Sequence, residues 1–361
     1  MTLRAPASKA PSAALVYGAG NIGQRTVRAL RQRGVQVPAV LDRQARPGQL
    51  CDGVPVLSPA EWQSSPRSVA SSSPVVIALH NTVHPVAQVQ AQLQDWGLTA
   101  YTLVDVCRWF PDALPDSYWL ADPGIYTRYG AELDALERLL ADDASRAVLR
   151  GVVAMRAEGR YDALAEPEPL QYFPASLPRW PERLKLIDCG AYDGDTLLAA
   201  QAQGYGIENA LCLEPDPKNF RKLVNTVQKA GISAICLPCA VGREASMLRF
   251  AAQGLDSSHL DPQGEVQVQA IGLDESFPLL SSLAPNLIKM DIEGAELEAL
   301  EGASRLIQTY KPNMAIAVYH HFSHLWEIPL LLYKWLPDHR FYLQVHAYNS
   351  FEAVIYAQRQ H

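Results

Sequence analysis

The chain alternates short apolar runs with helix-forming stretches, and it does so in two separate series. In the first series, runs such as ALVYG and VPAVLD alternate with helical stretches at 21–34 and 82–97. The second series begins at Leu184 with LKLIDCG and continues through ALCLEPD and LIKMDIEG. Strands and helices in alternation predict parallel βαβ units. We therefore expect an α/β protein built on two mainly parallel sheets.

The length of 361 residues suits two domains of ordinary size. We expect a Rossmann-like nucleotide-binding domain at 13–110 and a second Rossmann-like domain at 184–361. Leucines at helical spacing predict a helical connector at 111–183, and residues 1–12, which lack an export signal, are expected to form a disordered tail. The final runs FYLQVHAY and EAVIYAQ predict a hairpin that adds a closing antiparallel strand to the second sheet.

Charge and cysteine usage exclude several classes of protein. The chain has 31 basic and 38 acidic side chains without a marked Lys/Arg cluster, so we expect no nucleic-acid partner. No run approaches the ~18 apolar residues of a membrane span, so we expect no membrane partner. Six scattered cysteines fit a reduced, cytoplasmic setting. Cys236 and Cys239 form a C-x-x-C without a second pair, so no metal site is predicted.

The first motif of the second series is a glycine turn between a strand and a helix. The strand LKLID ends at Asp188, and Gly190 and Gly194 follow before the helix. Such a turn lies at the carboxyl edge of a parallel sheet, where ligands bind, and its glycines let a ligand approach the backbone. Glu214 ends the next strand, 20 residues after Gly194, a spacing that suits a carboxylate binding ribose hydroxyls. Asp216 either contributes or caps the next helix, and the turn equally suits a dinucleotide.

A third segment, LIKMDIEGAELEALEGA at 287–303, is a strand that ends near Asp291 and Glu293 and is followed at once by a helix. Together with DCGAYDGDT at 188–196 and LEPDPKNF at 213–220, it resembles the FkbM methyltransferase family. The runs KPNMAIAVYHH and LWEIPLLL are similar to later segments of that family. The resemblance covers about half of the chain.

The resemblance implies a class I methyltransferase fold that uses S-adenosylmethionine. The implied acceptor is a small molecule, with the methyl group going to a hydroxyl of a sugar, a glycan precursor or a related natural product. Tyr192 stands where a second glycine often lies in methyltransferases, which leaves the path of the turn open. Carried over position by position, the cofactor contacts are Asp188, Gly190, Ala191, Gly194, Glu214 and Asp216.

Methyl transfer to a hydroxyl benefits from a base. Asp291 and Glu293 end one strand, and His320 ends the next strand at the same sheet edge, so these three are the predicted catalytic residues. An acidic residue at such a strand end is often only a helix N-cap, and we assign Glu296 mainly that role. The alternative for His320 is a partly buried structural role.

The first series carries G-x-G-x-x-G at Gly18, Gly20 and Gly23, directly after the strand ALVY, and Asp42 ends the second strand 19 residues past Gly23. This pattern predicts a site for a nucleotide or nucleotide sugar. The alternatives are an NAD(P)-dependent oxidoreductase, a non-catalytic nucleotide-sugar-binding module, and a scaffold that binds nothing.

Overall fold

A computed structural model describes residues 9–64, 73–115, 117–251, 259–260, 266–275 and 283–360. The chain divides into two compact units. Unit 1 comprises Met1–Asp134, Ala147–Pro167 and Ala347–Phe351, and unit 2 comprises Ala135–Arg146, Glu168–His346 and Glu352–His361. Most of the predicted tail, residues 1–8, lies outside the described residues. None of the helices within the described ranges is long and apolar enough to cross a membrane.

Unit 1 is built on a six-stranded sheet in the order β3-β4-β2-β1-β5-β6, which is parallel except for the β3–β4 pair. Its central strands are almost completely buried because helices cover the sheet. The strands are β1 Leu15–Tyr17, β2 Val40–Leu41, β3 Leu50–Cys51, β4 Val54–Leu57, β5 Val75–Ile77 and β6 Ala100–Thr102. The helices are α1 Asn21–Gln32, α2 Pro59–Ser64, α3 Val86–Asp95, α4 Leu103–Trp109 and α5 Gly124–Arg128.

The segment 111–183, predicted as a separate helical connector, is divided between the units. Residues 111–134 and 147–167 belong to unit 1, whereas 135–146 and 168–183 belong to unit 2. The segment is helical where the leucine spacing predicts it, in α6 Gly130–Leu139 and α7 Asp143–Glu158. The spacing of apolar residues predicts that a helix buries one face, but it does not predict against which domain core that face packs.

Unit 2 contains a seven-stranded sheet in the order β16-β17-β15-β14-β7-β8-β9. Strand β17 is antiparallel to both β15 and β16, so the predicted closing antiparallel strand and the predicted α/β class are confirmed. The strands are β7 Arg183–Cys189, β8 Gly206–Leu213, β9 Ala234–Leu237, β14 Leu287–Met290, β15 Asn313–Ala317, β16 His339–Val345 and β17 Ala353–Arg359. The helices are α8 Asp195–Ala202, α9 Pro217–Ala230, α10 Glu296–Glu301, α11 Ser304–Tyr310 and α12 His324–Trp335.

A second sheet of unit 2 has the order β10-β13-β11-β12. Its strands are β10 Ala240–Val241, β11 Ser246–Ala251, β12 His259–Leu260 and β13 Val266–Ile271. In the larger sheet, β8, β7, β14 and β15 are parallel neighbours in register, with Asp188 opposite both Cys212 and Lys289. The carboxyl ends of these four strands therefore meet at one edge.

Asp216 is the N-cap of α9. Its side chain accepts hydrogen bonds from the amides of Lys218 and Asn219, at 2.7 and 3.1 Å. We expect Asp216→Ala to lower the free energy of unfolding by about 1 kcal/mol, because two helix amides lose their acceptor. Asp216→Asn keeps a capping oxygen and should lose less. Urea denaturation of the ligand-free protein measures both changes, and equal losses would contradict the cap assignment.

Candidate active site

The turn that follows β7 contains both predicted glycines. Gly190 has a φ of +78°, and a Cβ there would lie 1.9 Å from the carbonyl oxygen of Asp291. Gly194 has a φ of +89°, and its Cβ would lie 3.0 Å from Thr226. Both glycines are therefore required by the backbone path and by close packing within the protein. That they also let a ligand approach the backbone stays a prediction.

Glu214 lies directly after β8, and its carboxylate is held by the glycine turn. Its two oxygens accept hydrogen bonds from the amides of Tyr192 and Asp216, at 2.9 and 2.8 Å. Tyr192, which stands in place of a glycine, adopts a φ of +47°, so the turn keeps a left-handed backbone without glycine. Burial raises the pKa of Glu214 to about 7, although the two amide donors oppose the shift.

Asp188 is completely buried and pairs with the buried Lys289. The ammonium of Lys289 lies 3.1 Å from Oδ1 of Asp188 and donates to the carbonyl of Gly190 at 2.5 Å. It also lies 5.2 Å from the centre of the Tyr172 ring. Burial raises the pKa of Asp188 to about 6, against the effect of Lys289. Asp188 thus acts on the turn through Lys289, a residue not predicted from the sequence as part of the site.

The ends of β14 and β15 bring together the three predicted catalytic side chains, with Glu296 behind them. Nδ1 of His320 lies 2.8 Å from Oε1 of Glu296. Nε2 of the same ring lies 3.4 Å from Oδ1 of Asp291 and 3.6 Å from Oε2 of Glu293. Glu296 begins α10 but is not its N-cap. Its buried side chain instead accepts hydrogen bonds from the amides of Ile292 and Gly294.

The ionisable groups of this cluster strongly shift one another's pKa values. Burial alone would lower the pKa of His320, but Glu296, Asp291 and Glu293 raise it to about 10. Burial raises the pKa of Glu293 to about 8, against the effect of His320. Burial would also raise the pKa of Glu296, yet His320 and His324 hold it well below its usual value. In this state His320 is an imidazolium, and it is therefore a poor proton acceptor.

A second polar group borders the cluster. Tyr172 donates its hydroxyl hydrogen to Oδ2 of Asp291 at 2.6 Å. The Glu352 carboxylate accepts from Gln171 at 2.7 Å and from Tyr319 at 3.1 Å. Tyr172 and Glu352 both have left-handed backbones, with φ of +64° and +51°, the kind of outlier that concentrates at functional sites. This group was not predicted from the sequence, because its members meet only through the fold.

In unit 1 the glycine loop and Asp42 are in contact. Oδ2 of Asp42 accepts a hydrogen bond from the amide of Ala19 at 2.7 Å. A Cβ on Gly18 or Gly23 would collide with backbone oxygens, at 2.8 and 2.0 Å, whereas one on Gly20 would meet no atom within 4 Å. The fingerprint thus forms the predicted strand-turn-helix geometry. Nucleotide or nucleotide-sugar binding here stays a prediction.

We expect Lys289→Met to lower the free energy of unfolding by about 3–5 kcal/mol, because it leaves the Asp188 carboxyl buried without its counter-charge. The double variant Asp188→Asn/Lys289→Met removes both charges and should recover part of the loss. Denaturant unfolding of the wild type, both single variants and the double variant measures the coupling. A double variant that is no more stable than Lys289→Met would show that the ion pair is not the cause.

The raised pKa of Glu214 predicts a pH dependence of stability. Because its folded pKa of about 7 exceeds the reference value of 4.5, Glu214 costs the wild type stability as the pH rises from about 4.5 to about 7. Glu214→Gln cannot ionise, so we expect it to gain on the order of 1–3 kcal/mol relative to the wild type across this window. Unfolding free energies at pH 5 and pH 8 test this, with Glu208→Gln, at an exposed position of β8, as the control. A constant difference between variant and wild type would contradict it.

Residues 188–350 match the family model of the methyltransferase FkbM domain. Over 117 residues the chain is 27% identical to the hexuronic acid methyltransferase AglP of Haloferax volcanii, an alignment that covers 31% of this chain and 47% of AglP. The chain thus spans about half the length of that relative. The crystal structure of methyltransferase FkbM from Methylobacillus flagellatus KT shares the fold, with a TM-score of 0.77 at 22% identity over 96% of this chain and 90% of that one. The C-terminal part of this chain therefore matches the FkbM methyltransferase domain in sequence, and the chain is similar in fold to a methyltransferase FkbM.

Proposed function

We propose that this methyltransferase uses S-adenosylmethionine to methylate a hydroxyl of a sugar, a glycan precursor or a related natural product. The observation that carries the proposal is the contact between two motifs at one sheet edge. The glycine turn with Glu214 lies after β7 and β8, and the acidic cluster, formed by Asp291, Glu293 and Glu296 around His320, lies after β14. Gly190 packs directly against the backbone of Asp291. A ligand on the turn therefore lies beside the cluster.

The glycine turn and Glu214 fit an adenosyl group. The amides of Tyr192 and Asp216 fix the Glu214 carboxylate, and each of its oxygens keeps acceptor capacity for a ribose hydroxyl. Asp188 and Asp216 support this surface from behind, through Lys289 and the α9 cap. When bound, S-adenosylmethionine supplies a methyl group on a sulfonium, a good leaving group, so that positioning provides much of the rate.

The polar group beside Asp291 suits an acceptor with several hydroxyls. The Glu352 carboxylate, the Gln171 amide and the phenols of Tyr172 and Tyr319 all exchange hydrogen bonds readily with hydroxyl groups. Their existing hydrogen bonds hold them in fixed orientations, which favours selective recognition. The name of AglP, a hexuronic acid methyltransferase, supports a sugar acid as the first acceptor to test.

Exposure separates the roles within the acidic cluster. The side chains of Asp291 and Glu293 are 19% and 22% exposed, whereas that of His320 is 1% exposed. A carboxylate of Asp291 or Glu293 can therefore reach the acceptor and take the proton that its hydroxyl loses. His320 and Glu296 lie behind these carboxylates and orient them. We accordingly assign His320 a positioning role in place of the base predicted from the sequence.

The NAD(P)-dependent oxidoreductase alternative gains no support from the family match, which assigns methyl transfer to residues 188–350. The glycine loop of unit 1 has the geometry of a nucleotide site, but no described contact favours hydride transfer. A separate nucleotide-sugar-binding role for unit 1 is compatible with the methyltransferase proposal.

Two variants separate cofactor binding from chemistry. We expect Glu214→Ala to weaken adenosylhomocysteine binding by about 10-fold or more, because the ribose loses a charged acceptor. Asp291→Asn should leave that affinity within about 3-fold but lower turnover of a hexuronic acid acceptor by ~10²- to 10⁴-fold. Calorimetry on the full chain and a methyl-transfer assay measure the two effects.

Glu208→Ala, at a partly exposed position of β8, the strand that ends just before Glu214, is the control for binding. Undiminished adenosylhomocysteine binding in Glu214→Ala would contradict the cofactor assignment. Unchanged turnover in Asp291→Asn would contradict the assignment of the acidic cluster.

A further inference from the structure

We propose that Cys212 and Cys236 are a redox-sensitive pair, which a hydroperoxide oxidises to a disulfide that weakens binding of the proposed cofactor. Formation of the disulfide can be tested without the proposed function, whereas its effect on the cofactor rests on that function. All six cysteines of the chain are free thiols. Cys212 and Cys236 lie opposite each other on neighbouring strands of the larger sheet of unit 2.

The sheet places the two thiols side by side. Strands β8 and β9 are parallel neighbours, with Cys212 in register with Cys236. Such strands lie about 4.7–4.9 Å apart, within the range of about 4.4–6.8 Å that separates the Cα atoms of a disulfide. Residues in register in a parallel pair point to the same face of the sheet, and Cys236 packs against the apolar cluster that contains Cys212. The two sulfur atoms therefore need only a small movement to form a bond.

Exposure gives the two thiols different roles. Cys212 is completely buried, whereas Cys236 is only partly buried and lies on β9, the strand at one end of the sheet order. A small oxidant can therefore reach Cys236 from the solvent. Because the thiolate is the reactive form of cysteine, the more accessible and more acidic thiol is the one that reacts first.

The hydrogen bond between the thiols supports the same assignment. A hydrogen bond from the Cys212 thiol lowers the pKa of Cys236 to about 7, although burial opposes the shift. The same hydrogen bond, together with burial, raises the pKa of Cys212. Near neutral pH Cys236 thus supplies the attacking thiolate, and Cys212 is the thiol that resolves the first product.

The oxidation takes place in two steps when the hydroperoxide is hydrogen peroxide. The Cys236 thiolate attacks one peroxide oxygen, so that an S–O bond forms, the O–O bond breaks, and the leaving hydroxide takes up a proton to become water. The Cys212 sulfur then attacks the sulfur of the resulting sulfenic acid. An S–S bond forms, and the hydroxyl group leaves with the Cys212 proton as a second water. The two thiols lose two electrons, and the peroxide gains both.

The position of the pair connects it to the proposed cofactor site. Cys212 lies two residues before Glu214, whose amide donates to the carbonyl of Leu237, the residue after Cys236, at 3.1 Å. A disulfide holds the two Cβ atoms about 3.5–4.5 Å apart, which is closer than the usual spacing of neighbouring strands. Its formation therefore draws the ends of β8 and β9 together and displaces Glu214 from the glycine turn that holds its carboxylate.

The test treats the full chain with hydrogen peroxide at about pH 7.5, where much of Cys236 is thiolate. Free thiols are then counted in denaturant, and linked cysteines are identified by fragmentation of proteolytic peptides. We expect the count to fall by two from six, with Cys212 joined to Cys236, and dithiothreitol to restore it. Adenosylhomocysteine affinity, measured by calorimetry, should fall by about 3- to 10-fold on oxidation and recover on reduction.

Three variants provide the controls. Cys236→Ser and Cys212→Ala should form no disulfide with peroxide and should keep their adenosylhomocysteine affinity. Cys239→Ser removes the other thiol of the C-x-x-C and should respond to peroxide as the wild type does. If Cys212→Ala does not fold, Cys236→Ser decides the matter, because Cys236 is partly exposed and tolerates a polar replacement.

A disulfide between Cys236 and Cys239 would overturn the proposal, as would oxidation of Cys236 without a bond to Cys212 or full retention of both thiols. The Cys212–Cys236 disulfide with unchanged adenosylhomocysteine affinity would overturn the effect on the cofactor site. A reduced wild type that does not bind adenosylhomocysteine would contradict the proposed cofactor instead, and the linked peptides would still decide whether the disulfide forms.

Discussion

The relative positions of the glycine turn and the acidic cluster depend on the contacts of the buried Lys289 ammonium. It pairs with Asp188 at the end of one strand, donates to the carbonyl of Gly190 in the glycine turn, and lies against the ring of Tyr172. Tyr172 in turn donates to Asp291. A single buried ammonium thus connects the glycine turn to the acidic cluster. Because a buried charge tolerates little displacement of its partners, this contact fixes the distance between the two motifs.

The sequence predicts those features that depend on neighbours along the chain. The parallel order of β7, β8, β14 and β15 follows from strand and helix alternation, and their shared carboxyl edge brings Glu214, Asp291 and His320 to the same side of the sheet. The closing hairpin follows from two strand-like runs joined by a short turn. These inferences need only the spacing of apolar residues, the direction of the strands and the rule that ligands bind at the carboxyl ends of strands.

Features that depend on residues distant in the chain were not predicted. Tyr172 reaches Asp291 across 119 positions, and Gln171 reaches Glu352 across 181, distances at which no local pattern carries information. The sequence also did not indicate that the carbonyl oxygen of Asp291 excludes a side chain at Gly190. One sequence does not reveal which residue, close in space, excludes a side chain at a glycine position.

Three residues around the acidic cluster, Tyr172, Glu293 and Glu352, have left-handed backbones that side chains rarely adopt. Glycine at any of them would relieve backbone strain of order 1 kcal/mol or more, yet it would also remove the phenol or carboxylate that faces the cluster. The fold therefore forgoes stability where it keeps these groups. Selection for thermal tolerance alone would favour replacements at these three positions, and variants obtained in that way would exchange polar groups of the proposed site for a higher melting temperature.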